Sequence, residues 1–201
     1  MSELRVVVVP VGRVPLDEIE GVLSRVVKVI NRPIELREAA PIPRGAEDAS
    51  RRQYRSAPFL AEVRRALPRL AVAKLVGATM TGSPVATPKP DATVFLTDVD
   101  LFTPSTEGVF GELDRAHGAA LLSVRRLREA FYRRKADPGK QRSRLVKQIL
   151  RAIGLIRGRG GDCRDPGCAM STAQVVADID RKKERYCAPC WKHISTGSFR
   201  I

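Results

Sequence analysis

The chain has 201 residues, 43% of them hydrophobic, which is enough for one sizeable core, and no apolar run approaches the roughly 20 residues of a membrane span. Its formal net charge of +14 is unevenly spread: thirteen Lys and Arg against two acids, Glu129 and Asp137, fall within residues 125–159. Four cysteines in two close pairs after residue 160 do not make a secreted disulfide scaffold, and no charged region precedes a cleavable apolar segment, so a soluble, monomeric, cytoplasmic protein without membrane association is expected.

Residues 4–9 (LRVVVV), closed by Pro10 and Gly12, read as a buried strand. Leu16, Ile19, Leu23, Val26, Val27 and Ile30 then recur at helical spacing between Pro15 and Pro33. Residues 33–36 offer a second strand, residues 37–55 a polar loop, and residues 59–67 a helix stopped at Pro68. Strands are expected at 75–79 and 93–97, separated by a turn-rich insert at 81–90 (TGSPVATPKP). Asp98 and Asp100 stand two apart after the second of these, a spacing that serves metal ligands or acid/base groups but more often supplies hydrogen bonds at a strand end. Residues 108–111 (GVFG) read as a short edge strand, 119–123 as a buried strand and 125–134 as a helix. A turn at 137–139 leads into an amphipathic helix carrying Leu145, Val146, Ile149, Leu150, Ile153 and Ile156, with Lys147, Gln148 and Arg151 on the other face and Gly154 and the glycines at 158–161 ending it. Together these elements give an α+β fold with α/β character.

The basic block could meet phosphate backbones, anionic lipid or acidic peptides. Aromatic residues are only 5% of the chain and do not interleave with it, which weakens a single-strand stacking role and leaves nucleic-acid binding as an alternative. Cys163 and Cys168, then Cys187 and Cys190, supply four thiols at two short spacings, the pattern of a closed tetrahedral zinc site that holds a fold together and leaves no open position for water. Disulfides and incidental buried thiols are the competing accounts. His193 and His117 are expected as surface or packing residues.

Cys163-x4-Cys168-x-Met170 followed by Cys187-x2-Cys190, with Gly108-Val109-Phe110-Gly111 and Ser123-Val124-Arg125-Arg126-Leu127 upstream, resembles the archaemetzincin family of zinc metalloproteases. The resemblance implies a compact metzincin-type domain over residues 1–201: a twisted mixed sheet with flanking helices over 1–157 and a small zinc-stabilised C-terminal part over 158–201. It also implies an active-site helix bearing HExxHxxGxxH, a methionine turn and a four-cysteine zinc. Aligned on Gly154, the first histidine position holds Lys147, the glutamate position Gln148, the second histidine Arg151 and the third Arg157; Met170 matches the methionine turn. Residues 158–162 intervene before the first cysteine, so Asp162 competes with Arg157 for the third ligand's place.

A guanidinium has no lone pair to donate, an ammonium must first lose its proton, and glutamine cannot take a proton from bound water as a carboxylate does. Unit charges about 4 Å apart interact by roughly 4 kcal/mol at an effective dielectric near 20, so cations beside a dication add repulsion to the loss of ligands. The expectation is therefore one structural zinc at Cys163, Cys168, Cys187 and Cys190, no catalytic zinc, and a former active-site cleft in which Lys147 and Arg151 either meet a peptide or an acidic ligand or merely pair with nearby acids and solvent. Hydrolysis through Asp162, Asp98 or Asp100 as unusual ligands is the alternative.

Overall fold

The fold was analysed in a computed structural model that describes residues 4–78, 89–158 and 161–196. Six strands form the main sheet: β1 (Val6–Val11), β2 (Ile34–Arg37), β5 (Val72–Val76), β6 (Ala92–Thr97), β9 (Gly111–Asp114) and β10 (Ala119–Ser123), ordered β5-β2-β1-β6-β10-β9. The four central strands are parallel, and β5 and β9 close the two edges antiparallel. Parallel strands are covered on both faces, which is why β1 is an unbroken apolar run. Val6 and Val8 enter the core beneath α1 (Leu16–Ile30) and α3 (Pro138–Arg157), while Val7, Val9 and Val11 enter a second core under α2 (Ser56–Ala66).

β1 runs through Pro10, where the sequence pattern places its end. The ladder with β2 stops at Val8, and the Pro10 carbonyl accepts from the Ala40 amide 2.8 Å away, so no sheet bond is lost on the side where proline lacks its N–H. Residues 37–55, read as loop, contain β3 (Glu47–Asp48) and β4 (Gln53–Arg55). With β7 (Leu101–Thr103) and β8 (Thr106–Val109) these build a second sheet ordered β3-β4-β7-β8, from strands too short to show alternation. The helix expected at 125–134 is instead two 3₁₀ segments, Arg125–Leu127 and Glu129–Tyr132. The carbonyls that would carry its ladder are taken by side chains: Arg126 O by the Tyr132 hydroxyl at 2.9 Å, Leu127 O by Arg144 at 2.7 Å. Most of the insert at 81–90, and Thr79 at the end of the strand expected at 75–79, lie outside the described residues.

α3 is the element on which the site depends. Its first turn is capped by Asp137, whose carboxylate accepts from the Lys140 amide, and Pro138 occupies the first turn, where its missing N–H costs nothing. Nearly every residue from Arg144 to Gly154 is buried, because α1, the sheet and the C-terminal helices α4 (Val176–Arg181) and α5 (Ala188–Thr196) surround it. Gly154 does not end this helix, contrary to the sequence expectation: the helix continues to Arg157. The glycine is there for close approach, since a Cβ at that position would stand 2.3 Å from the Met170 sulfur and 3.0 Å from Ile194 Cδ1.

Candidate functional site

Two sites share the segment that follows α3. The first is the cysteine cluster. The ligand atoms of Cys163, Cys168, Cys187 and Cys190 lie within 4.8 Å of one another, and Cys163 Sγ is 3.7 Å from Cys187 Sγ. All four are free thiols, with Cys168 and Cys190 buried. Backbone amides of Cys187 and Met170 point at Cys168 Sγ from 3.3 and 3.5 Å, an arrangement that favours a thiolate there. Burial nevertheless holds the Cys168 thiol above its ordinary value. At Cys187 burial also opposes ionisation, but hydrogen bonding from the Cys190 backbone and thiol outweighs it and the group is lowered. Four thiols converging on one point, partly desolvated and approached by amide donors, suit a tetrahedral soft cation with no position left for water. Tyr186 and Trp191 stack beside the cluster with ring centroids 6.0 Å apart.

The second site is a cleft of about 520 Å³ between α3 and the edge segment formed by β8 and β9. Phe110 separates these strands, and each ends its own sheet, so among the described residues the segment offers an edge to which no further strand is paired. Apolar side chains dominate the walls: Phe110, Leu113, Leu122, Ala152 and Leu155. Of the four residues aligned with the catalytic set, Gln148 and Arg151 line this cleft, and Lys147 and Arg157 do not.

Arg151 makes three hydrogen bonds within the protein. One Nη donates to the carbonyls of Met170 (2.8 Å) and Ser171 (3.2 Å), and the other binds the Asp162 carboxylate, which also accepts from the Thr172 hydroxyl at 2.7 Å. Burial raises the Asp162 carboxyl, but the Thr172 hydroxyl and Arg151 more than reverse this and hold it below the usual carboxylate range. Lys182, buried and donating to the same Ser171 carbonyl, is lowered to about 8 by burial first and the Arg151 charge second. Lys147 turns away, toward the Asp180 carbonyl 3.4 Å off, and its burial depresses it. The expected pairing of Lys147 with Arg151 as joint receptors in the cleft is therefore corrected: the side chain of Lys147 is drawn beneath α4. Arg157 donates to Asp91 at 2.7 Å.

The three candidate acids are also committed. Asp98 binds Arg128, and Asp100 takes Arg126 at two atoms and the Gln53 amide at 2.8 Å, the hydrogen-bonding role usual at a strand end. Among the described residues, the cysteine cluster is the one group of three or more His, Cys, Asp or Glu side chains placed to hold a metal. His117 is exposed and bonded to Asp114. Sequence reading missed Lys182 and the fully buried Arg144, which carry no motif; the one available signal was the acids Asp178, Asp180 and Glu184, which a basic helix could meet.

Comparison with known proteins follows this geometry. The model of Peptidase family M54 matches residues 85–196, more than half of the chain. Archaemetzincins from Saccharolobus islandicus (37% identical over 101 residues) and Methanocaldococcus jannaschii (32% over 104 residues) align with 50% and 52% of this chain. Those alignments cover 53% and 58% of the relatives, so the chain spans about half the length of the curated relatives it matches. A zinc-dependent peptidase from Methanocorpusculum labreanum has the same fold with a TM-score of 0.77 at 24% identity, covering 94% of this chain and 99% of that one. The archaemetzincin of Methanopyrus kandleri superposes with a TM-score of 0.72 at 23% identity, covering 96% and 95%.

Proposed function

The chain belongs to peptidase family M54, and from that premise we propose that it is an archaemetzincin homologue that keeps the four-cysteine zinc and has exchanged peptide hydrolysis for peptide binding. The observation that carries this reading is Arg151. A guanidinium stands at the second histidine position and is bound by Asp162 and the carbonyls of Met170 and Ser171. Its fixed positive charge occupies ground that a catalytic cation would need, and it has no lone pair to offer a metal. Lys147 and Arg157 are drawn elsewhere, and Gln148 cannot serve as the general base. The residues present do not suit a catalytic zinc, whereas the cysteines suit a structural one, which would tie the segment at 163–171 to α5.

Peptide binding is supported by the cleft itself. A strand edge along Gly108 to Leu113, unpaired among the described residues, offers main-chain hydrogen bonds, and the apolar cavity beside it has the volume for a large side chain. Asp98, Asp100 and Asp162 each bind an arginine, which speaks against hydrolysis through substitute ligands.

Zinc stoichiometry and hydrolysis test this together. Purified protein should carry one tightly bound zinc per chain and leave quenched fluorescent peptides uncut, while binding some of them. Two tight zincs, or cleavage abolished by a chelator without unfolding, would refute the reading.

A further inference from the structure

Resting on the cleft as a peptide site, we infer that its far end is a receptor for a carboxylate at or near the C-terminal end of the bound peptide. Beyond Phe110 the main cavity meets a second one of about 330 Å³, and the two share Gly108, Phe110 and Gln174. The second cavity is lined by Arg126, Arg134 and Tyr132, and among the described residues no Asp or Glu lines it.

Both cations are held in place. Arg126 binds Asp100 through Nε and Nη2, the latter at 2.9 Å, and lies over the Phe131 ring at 4.8 Å. It covers Gly108 so closely that a Cβ there would stand 1.8 Å from the guanidinium carbon; only glycine leaves room for this placement. Arg134 lies over the Tyr132 ring at 5.0 Å, contacts Glu129 at 3.3 Å, and is 51% exposed. The acids that fix these arginines are absent from the lining, to which both arginines contribute, and Arg126 Nη2 also donates to the Glu107 carbonyl at 3.3 Å. Pre-oriented guanidinium donors bind carboxylates strongly because little side-chain freedom is left to lose.

Strand polarity decides which end of the peptide arrives there. β9 joins β10 and β8 joins β7 antiparallel, and a peptide continuing that pattern along the edge runs opposite to Thr106–Asp114. Its chain then passes Leu113 first and Gly108 last, delivering its C-terminal portion to Arg126 and Arg134. The occupant is accordingly an extended peptide with an apolar residue for the main cavity and, after it, a carboxylate, supplied by an acidic side chain or by the chain terminus.

The probe is an N-terminally labelled octapeptide of alternating Leu and Ser, read by fluorescence anisotropy against the zinc-loaded full chain. It is made with a terminal Glu as the amide, with a terminal Ser as the free acid, and with a terminal Gln amide that has no carboxylate. Either carboxylate form should bind at least about tenfold tighter than the Gln amide, and the preference should shrink in Arg134→Gln, persist in part in Arg134→Lys, and weaken with salt. The first two peptides separate a side-chain source from a terminal one. Ala173→Trp, which fills the main cavity, should abolish binding of all three. If all three peptides bind equally and Ala173→Trp removes them, the carboxylate receptor is wrong and the peptide cleft stands. If none binds, both are wrong.

Discussion

Arg144 is the most demanding test of how α3 is held, because its side chain is 0% exposed while carrying a full charge. It donates to both Asp180 oxygens at 2.7 Å and to Leu127 O at 2.7 Å, and it binds Glu129. Replacement by methionine preserves much of the volume and takes the guanidinium from two carboxylates and one carbonyl. Breaking a buried ion pair from one side costs about 3–5 kcal/mol. Glu129 would retain Arg134 at 3.3 Å and Lys140 at 3.5 Å, and Asp180 would retain Lys140 at 3.5 Å, so the lower part of that range applies, about 3–4 kcal/mol. Urea unfolding of zinc-saturated protein, followed through the single tryptophan, Trp191, measures this directly. The triple change Arg144→Met, Glu129→Gln, Asp180→Asn removes the stranded charges and should recover most of the loss. A cost under about 1 kcal/mol for the single change, or no recovery in the triple, would show that the network does not bear on stability as argued.

Two further predictions concern the cleft. Arg151→Met strands Asp162 and two carbonyls and should cost about 1–2 kcal/mol while zinc content stays at one per chain, measured by unfolding and by metal analysis; a second tight zinc in this variant would show that the guanidinium alone had been excluding it. Lys182 has its folded-state pKa lowered from 10.5 to about 8, so between those values the unfolded chain binds more protons and stability rises with pH. The stability difference between the parent protein and Lys182→Met should therefore shift in favour of the parent as pH climbs from about 8 toward 10.5, and a flat difference would contradict the buried placement.

The elements that were legible in the sequence are those whose burial leaves a period. α1 shows its apolar stripe from Ile19 to Ile30, β6 and β10 are apolar runs of strand length, and the cysteine spacing announces its cluster. The second sheet was not legible, because β3 and β4 have two and three residues and are held by tertiary contacts, as when Tyr54 N donates to Asp100 O. Helical spacing correctly puts Lys147 and Arg151 on one face but says nothing about which neighbour each long side chain reaches. The outcome turned on α4, whose Asp180 carbonyl draws Lys147 away, and on the Met170–Ser171 carbonyls, which capture Arg151. Gly154 misled for a related reason: glycine marks a helix end in most sequences, and here it marks a contact.

That contact gives Met170 a structural role of its own. Its side chain is fully buried against Gly154, and its backbone serves three masters at once. Met170 N points to Cys168 Sγ, while Met170 O accepts from both the Cys163 amide and Arg151. The metal cluster and the cleft are therefore joined through one residue, and loss of zinc should reach the cleft without any change at its walls. Freed of metal, Cys163 and Cys168 no longer fix the turn between them, so the carbonyls that hold Arg151 lose their position and Arg151 its partners. Stepwise chelation, followed by zinc release, amide exchange at residues 170–173 and octapeptide anisotropy, should show all three changing in one transition. Zinc release that leaves exchange and peptide binding untouched would separate the two sites and leave Met170 with its packing against Gly154 alone.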